Sequence, residues 1–323
     1  MRPSILYPSV TRWLFVGLLG IAFNARASDA VPDLSTITSA QTLGSKTAVS
    51  REKTEVKPAR KLRLVVLAPH LVELIFSLGA GEQIIATSEH ADYPEAAKQI
   101  PRVGNYAGLQ LEKILALKPD AILVWQSGTP AADLHRLKQL GMTVETFEPA
   151  TFEDIALDLE RLGQRLGLQD KAQRLAQDYR EQLHQLRMQY SNRPTISVFY
   201  ELWDSPLSSI GGKAWPNQHL QLCGARNVLQ EHTVPYPQLS IEQVIRLNPE
   251  LIIQPVSENE PRNLVNWQPY PQIRAVKNQQ LIKPNSDLLH RATLRSLSAT
   301  AQLCHAIEQA RQFYQMAAQS SKN

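Results

Sequence analysis

The chain has 323 residues, with 34 Lys or Arg against 30 Asp or Glu, and its formal charge is +4. Three of the arginines (Arg2, Arg12, Arg26) fall in residues 1–27, which hold no acid, so the rest of the chain is near +1 and has no run of five or six basic residues; that balance excludes a nucleic-acid binder. The 43% hydrophobic content, 20% charged residues and only 14 glycines exclude a disordered or collagen-like chain.

Residues 1–27 read as a secretory signal: basic Arg2 and Arg12, an apolar run from Trp13 to Phe23, then Ala25-Arg26-Ala27, with cleavage expected after Ala27. Eleven apolar residues fall short of the roughly 20 that span hydrocarbon, and no cysteine follows the run to carry a lipid. An exported protein is expected. Residues 28–60, rich in Ser, Thr, Ala and Lys and without apolar periodicity, read as a flexible leader.

From Lys61 short apolar runs alternate with helical periods. Leu64 to Ala68, Gln83 to Thr87, Ala121 to Trp125 and Thr143 to Phe147 read as strands; residues 71–78, 111–117, 130–140 and 152–166 read as helices. Gln169 to Tyr190 lacks Gly and Pro and predicts one helix, about 33 Å long at 1.5 Å per residue. Beyond Pro194 come a strand over Ile196 to Tyr200, helices at Asn217 to Cys223 and Ser240 to Leu247, strands at Leu251 to Gln254 and Gln280 to Lys283, and a last helix from Leu289 to Met316. The pattern predicts an α/β fold of two Rossmann-like lobes with parallel sheets, residues 61–167 and 193–323, joined by one long interdomain helix at 168–192.

An internal repeat relates the lobes. Leu109 to Val124 aligns without a gap to Leu239 to Gln254 at an offset of 130, and the same offset sets Tyr106 on Tyr236, Glu112 on Glu242 and Pro119-Asp120 on Pro249-Glu250. Two copies fit two lobes better than a solenoid.

The chain lacks G-x-S-x-G, H-E-x-x-H and a strand-following G-x-G-x-x-G, and its eight histidines never fall at metal-ligand spacing. No catalytic residue, metal site or cofactor is expected; an exported hydrolase is the minority reading. Tyr93, Tyr106, Trp125, Trp203, Trp215 and Tyr236 mostly follow strands or precede helices, where open α/β sheets bind ligands. Each is open to a second reading, as a ring capping a lobe core. Glu112 and Glu242 serve either as first-turn acids on the helix dipole or as one acidic knob per lobe for a partner. Asp287 and Arg291, four apart, form either an ordinary ion pair on the last helix or a pair facing a ligand. In an oxidising compartment Cys223 and Cys304 favour a bridge, two buried free thiols being the other reading; either way the pair is structural.

Leu64 to Leu74 with its Ala68-Pro69-His70, Leu78-Gly79-Ala80-Gly81, Asp92-Tyr93-Pro94, Gly104-Asn105-Tyr106, Lys118-Pro119-Asp120 and Val234-Pro235-Tyr236-Pro237 together resemble the periplasmic cobalamin-binding proteins over residues 61–310. The resemblance implies a periplasmic receptor that holds cobalamin or a related corrinoid between its lobes. It further implies delivery to an inner-membrane ABC permease with its ATPase subunits. It places Tyr93, Trp125, Asp287 and Arg291 at ligand-facing positions and Glu112 and Glu242 at the permease contacts, and makes Cys223 and Cys304 the family disulfide. Trp203 lies about one residue from a cleft aromatic of the family. Tyr106 and Tyr236 stand where the best-known members carry tryptophan. A monomer is expected. Receptors for haem or ferric siderophores share the architecture and are the alternative. His70 is read as a structural or hydrogen-bonded histidine in preference to a metal ligand.

Overall fold

A computed structural model describes residues 60–257 and 263–320. The expected signal, and the leader except for Arg60, lie outside the described residues. All the elements below belong to one unit, Pro58–Asn323.

The first part of the chain builds β1 (Leu64–Leu67), α1 (Pro69–Ser77), β2 (Ile84–Thr87), a small hairpin of β3 (Gly104–Asn105) and β4 (Gly108–Leu109), α2 (Leu111–Ala116), β5 (Ala121–Trp125), α3 (Ala131–Gln139), β6 (Val144–Phe147) and α4 (Phe152–Leu166). Its sheet is parallel throughout, in the order β2-β1-β5-β6. The crossing helix α5 (Gln169–Tyr190) has the predicted limits. There follow β7 (Ile196–Asp204), β8 (Leu207–Ser209), α6 (Trp215–Leu222), β9 (Ala225–Asn227), α7 (Ile241–Leu247), β10 (Leu251–Ile253), α8 (Arg274–Lys277), β11 (Leu281–Ile282), α9 (Ser286–Leu289) and α10 (Leu294–Ser320). In this second sheet β11, β10, β7 and β9 pair in parallel, while β8 folds back antiparallel on the far half of β7.

Side-chain alternation divides each sheet into two faces. Leu64 and Val66 of β1, Leu123 of β5, Val198 and Tyr200 of β7, and Leu251 and Ile253 of β10 all enter one apolar cluster, which also takes in α1, α4, α5, α6 and α10. The opposite faces have their own clusters: Val65, Leu67, Ile122 and Val124 with Ile114 and Leu134, and Phe199 and Ile252 with Val244 and Trp267. The buried stripe of α5, Ala172, Ala176, Tyr179, Leu183, Leu186 and Tyr190, steps by three and four and faces the shared cluster. The helix α4 enters through a Thr151–Asp154 capping box. It crosses α5 so closely that a Cβ on Gly163 would lie 2.2 Å from the Cβ of Ala172.

The 130-residue repeat has a structural meaning. In each copy a residue with φ of 46°, Lys118 or Asn248, stands between the helix and the Pro-acid turn. The acid then clamps the first strand of its own sheet. Asp120 accepts from the Arg63 amide at 2.8 Å and returns its own amide to the Arg63 carbonyl at 2.8 Å. Glu250 makes the same exchange with Ser197, at 2.8 and 3.0 Å.

The expected strand at Ile196 to Tyr200 runs on to Asp204 and turns at Ser205-Pro206 into β8, because Pro206 sits in the turn of a hairpin. The expected single last helix is two. Asn285 caps α9 by accepting from the Leu288 amide, α9 stops at Leu289, and His290–Thr293 form a bend before α10. Asp287 and Arg291 therefore do not share a helical face, and Arg291 pairs with acids elsewhere. Ser240 caps α7 in a box completed by Gln243, so Glu242 remains an exposed first-turn acid.

Cys223, after α6, and Cys304, in α10, form a disulfide across 81 residues. Beside them His219 is fully buried. Its Nε2 donates to the Leu289 carbonyl at 2.8 Å, and its Nδ1 lies 2.7 Å from Thr300 Oγ1.

Replacing both cysteines by serine removes a closure that the chain-entropy model sets near 4.5 kcal/mol. The expected result is a fall in Tm of about 10 °C, read by circular dichroism with and without reductant. Burial pulls the His219 pKa down to about 3, with His290 nearby adding to the effect against the Leu289 bond. The folded state therefore resists protonation that the unfolded chain accepts below about 6.5. This contribution is present above that pH and is lost as pH falls toward 3, at about 1.4 kcal/mol per pH unit. Chemical denaturation from pH 7 to 4 should give a shallower loss of stability for His219→Gln than for the wild type.

Candidate functional site

The carboxyl ends of β1, β5 and β7 open on one cleft. Pro69 begins α1 directly after β1, so His70 stands at the mouth of the sheet. Trp125 is the last residue of β5. The loop after Trp125 is held by Glu148, which accepts from the Ser127 amide at 2.8 Å and the Ser127 hydroxyl at 2.7 Å. From the other lobe come Leu202 of β7, Trp215 and Pro216 at the start of α6, Tyr236, and the bend His290–Ala292. Together with Pro149 these residues enclose a cavity of about 350 Å³.

The walls of that cavity are mostly rings and aliphatic groups. His70 meets the Trp125 ring edge-on at 5.9 Å. Trp215 is pinned: its Nε1 donates to the Leu289 carbonyl at 2.8 Å, and Phe152 packs edge-on against it at 5.2 Å. His290 Nε2 lies 2.9 Å from the Tyr200 hydroxyl. Burial, with the Glu148 carboxylate second, raises the Tyr236 pKa and keeps its hydroxyl protonated. His70 is buried, and its Nε2 has no hydrogen-bond partner among the described residues. Burial first and the charge of Arg291 second take its pKa down to about 4, so it is a neutral imidazole at pH 7.

Arg291 is the cation of this cavity, and it also borders a second one. That cavity, about 360 Å³, is lined by Asp92, Tyr93, Glu95 and Lys98 from one lobe and by Asn285, Asp287, Leu288, Arg291 and Arg295 from the other. Arg291 Nη1 donates to Asp92 at 2.6 Å and to Glu73 at 3.2 Å. Burial opposes ionisation of Asp92, but the hydrogen bond and charge of Arg291 outweigh it and hold the carboxyl below its usual range. Asp287 accepts from the Ser257 hydroxyl at 2.8 Å.

Of the residues singled out in the sequence, His70, Trp125, Trp215, Tyr236 and Arg291 share the aromatic cavity, and Tyr93, Asp287 and Arg291 share the charged one. Tyr93 lies under Arg295, whose guanidinium carbon is 3.5 Å from the ring centroid. Tyr106 and Trp203 line neither cavity. Tyr106 tips the β3–β4 hairpin with 78% of its surface exposed, and Trp203 is 50% exposed on β7. That hairpin requires Gly104, whose φ is +146° and whose Cβ would lie 2.6 Å from the Gly108 carbonyl. The reading of these rings as core caps fails for Tyr93, Tyr106, Trp125, Trp203 and Tyr236, which all remain between 37% and 78% exposed. Glu112 and Glu242 are exposed on α2 and α7.

Sequence reasoning missed Glu73, Asp92, Arg295 and His290. Glu73 had a signal, as an acid inside the apolar run Leu71-Val72-Glu73-Leu74-Ile75. The others had none, because they matter only through partners far away in the chain.

The arrangement can hold a flat, partly apolar ring system by aromatic contact and meet polar groups on its periphery through Arg291 and its neighbours. The "Vitamin B12-binding protein" of Vibrio vulnificus strain YJ016 is 41% identical over 258 residues, which cover 77% of this chain and 92% of that one. The protein of the same name from Vibrio cholerae strain N16961 is 37% identical over 249 residues, 77% of this chain and 90% of its own. Among solved structures, the periplasmic vitamin B12-binding protein of Vibrio cholerae superposes with a TM-score of 0.72 at 36% identity, over 78% of this chain and 98% of that chain. A periplasmic haem-binding protein from Roseiflexus shares the fold, with a TM-score of 0.68 at 20% identity over 78% of this chain and 100% of that one. Residues 64–288 match the family described as "Periplasmic binding protein", and the chain belongs to that family.

Proposed function

We propose that this protein is the periplasmic cobalamin-binding component of an ABC importer. The observation that carries the reading is the 41% identity to a vitamin B12-binding protein across 92% of that protein's length. The aromatic and charged cavities meeting at Arg291 agree with it. Export follows a signal cleaved after Ala27, and the protein binds without turnover. Trp125 and Tyr236 meet the ring system. Asp287 and Arg291 hydrogen-bond its peripheral amides, and Tyr93 flanks them. Tyr106 and Trp203, exposed on their hairpins, meet the ligand's edge in this reading, and Tyr106 and Tyr236 give less stacking area than tryptophan and add a hydroxyl. Glu112 and Glu242, exposed in matching first turns of matching helices, dock the loaded receptor on the permease and its ATPase subunits, and the receptor acts as a monomer. The lobes approach and part only slightly, because α5 and the shared core resist wide rotation.

Calorimetric titration with cyanocobalamin, haemin and a ferric siderophore in parallel tests the ligand. One-to-one binding of cobalamin alone is expected, and binding of haemin or siderophore in its place would overturn the assignment. Arg291→Ala should weaken cobalamin binding by about thirtyfold, in line with the roughly 2 kcal/mol of a hydrogen bond to a charged group. The Glu112→Lys, Glu242→Lys double variant should bind cobalamin as the wild type does and fail in uptake. Loss of binding in that variant would assign both acids to the fold.

A further inference from the structure

Helix α1 is buried along Leu71, Val72, Leu74 and Ile75, yet it carries Glu73 among them with only 4% of the side chain accessible. A lone carboxylate in such a place is costly. It is held by two arginines of the other lobe. Arg295 makes a bidentate pair with it, Nε to Oε2 at 2.9 Å and Nη2 to Oε1 at 2.6 Å, while Arg291 Nη1 reaches Oε1 at 3.2 Å. Stability alone does not account for this choice, since a packed apolar pair often does as well as a buried ion pair.

The placement of the charges is informative. Both acids, Glu73 and Asp92, belong to the first lobe, and both arginines follow α9 in the second. Among the described residues the hydrogen bonds of Arg291 all leave from Nη1, so Nη2 and Nε remain as donors for whatever occupies the cavity it lines. A planar guanidinium fixed at one nitrogen by two acceptors has its remaining donors fixed as well. Parting the lobes would strip Arg291 of both acceptors and Glu73 of both arginines.

We propose that Glu73, anchored by Arg295, is the positioning residue that ties the ligand-binding posture of Arg291 to the juxtaposition of the lobes. Grip and lobe arrangement are then one element, and a permease that separates the lobes also disarms Arg291. The inference rests on the reading of the cleft as the ligand site.

The test is a double-mutant cycle on cyanocobalamin affinity with Glu73→Gln, Arg291→Ala and the pair together, with melts to confirm folding. Glu73→Gln should weaken binding about tenfold, chiefly through faster dissociation, and should cost nothing further in the Arg291→Ala background. Equal losses in both backgrounds, or wild-type affinity in Glu73→Gln, would overturn the inference. If Glu73→Gln does not fold, Arg295→Met, which keeps an apolar stem over Tyr93, takes its place in the cycle with the same expectation. The wild-type titration tests the ligand assignment separately. Should it be silent toward cobalamin, the ligand-free interlobe distance decides, read by pulsed EPR between non-natural spin-labelled residues at exposed Lys138 and Arg246. A broadened distribution in the Glu73 variant supports the tie, and an unchanged one overturns it.

Discussion

Leu183, Leu186 and Tyr190 of the crossing helix are buried in the same apolar cluster as Leu64 of the first sheet and Leu303 of the last helix. The lobes consequently have no separate cores on their inner sides. Each large side chain on that stripe contributes about 1.5 to 3 kcal/mol by its burial, and wide rotation about α5 would expose several at once. The disulfide between α6 and α10 lies in the same region and closes the second lobe on itself. A receptor built this way has a nearly preformed cleft, so its ligand meets surfaces already in place.

Within that frame the cleft is divided by charge. On one side rings and prolines surround a neutral histidine. On the other, acids and bases of both lobes face each other, and Arg291 stands at the boundary. The division follows from where the strands end. Trp125 is the last residue of a strand buried along Ala121–Val124, whereas Asp92 and Tyr93 lie in the long connection after β2. The charged residues of the second lobe flank the break between α9 and α10: Asp287 lies in α9, Arg291 in the bend and Arg295 in the first turn of α10.

The repeat offset of 130 was legible because each of its features serves a local physical purpose. A buried apolar residue anchors the helix (Ile114, Val244), a positive-φ residue precedes the Pro-acid turn, and that turn clamps the first strand. Helix α5 was legible to the residue, since a stripe stepping by three and four with no Gly or Pro admits one structure. The β7–β8 hairpin was hidden by Pro206, which reads as a breaker but occupies the turn. The break before α10 was hidden because Leu289 to Met316 keeps helical composition; only the Asn285 cap marks the short helix as separate.

By itself the sequence determined what depends on neighbours in the chain: two α/β lobes, the crossing helix, the matched halves, and aromatics at strand ends free to face a cleft. Tertiary structure alone decided which of those aromatics share a cavity, that Tyr106 and Trp203 stand apart on hairpins, and that Arg291 pairs with acids 199 and 218 residues away. The reason is the range of the forces involved. Backbone periodicity, capping and turn chemistry act over a few residues and are written locally. A buried ion cluster forms only where two distant segments are pressed together in the absence of water, and nothing in the local pattern of Glu73 or Asp92 names Arg291 or Arg295 as its partner.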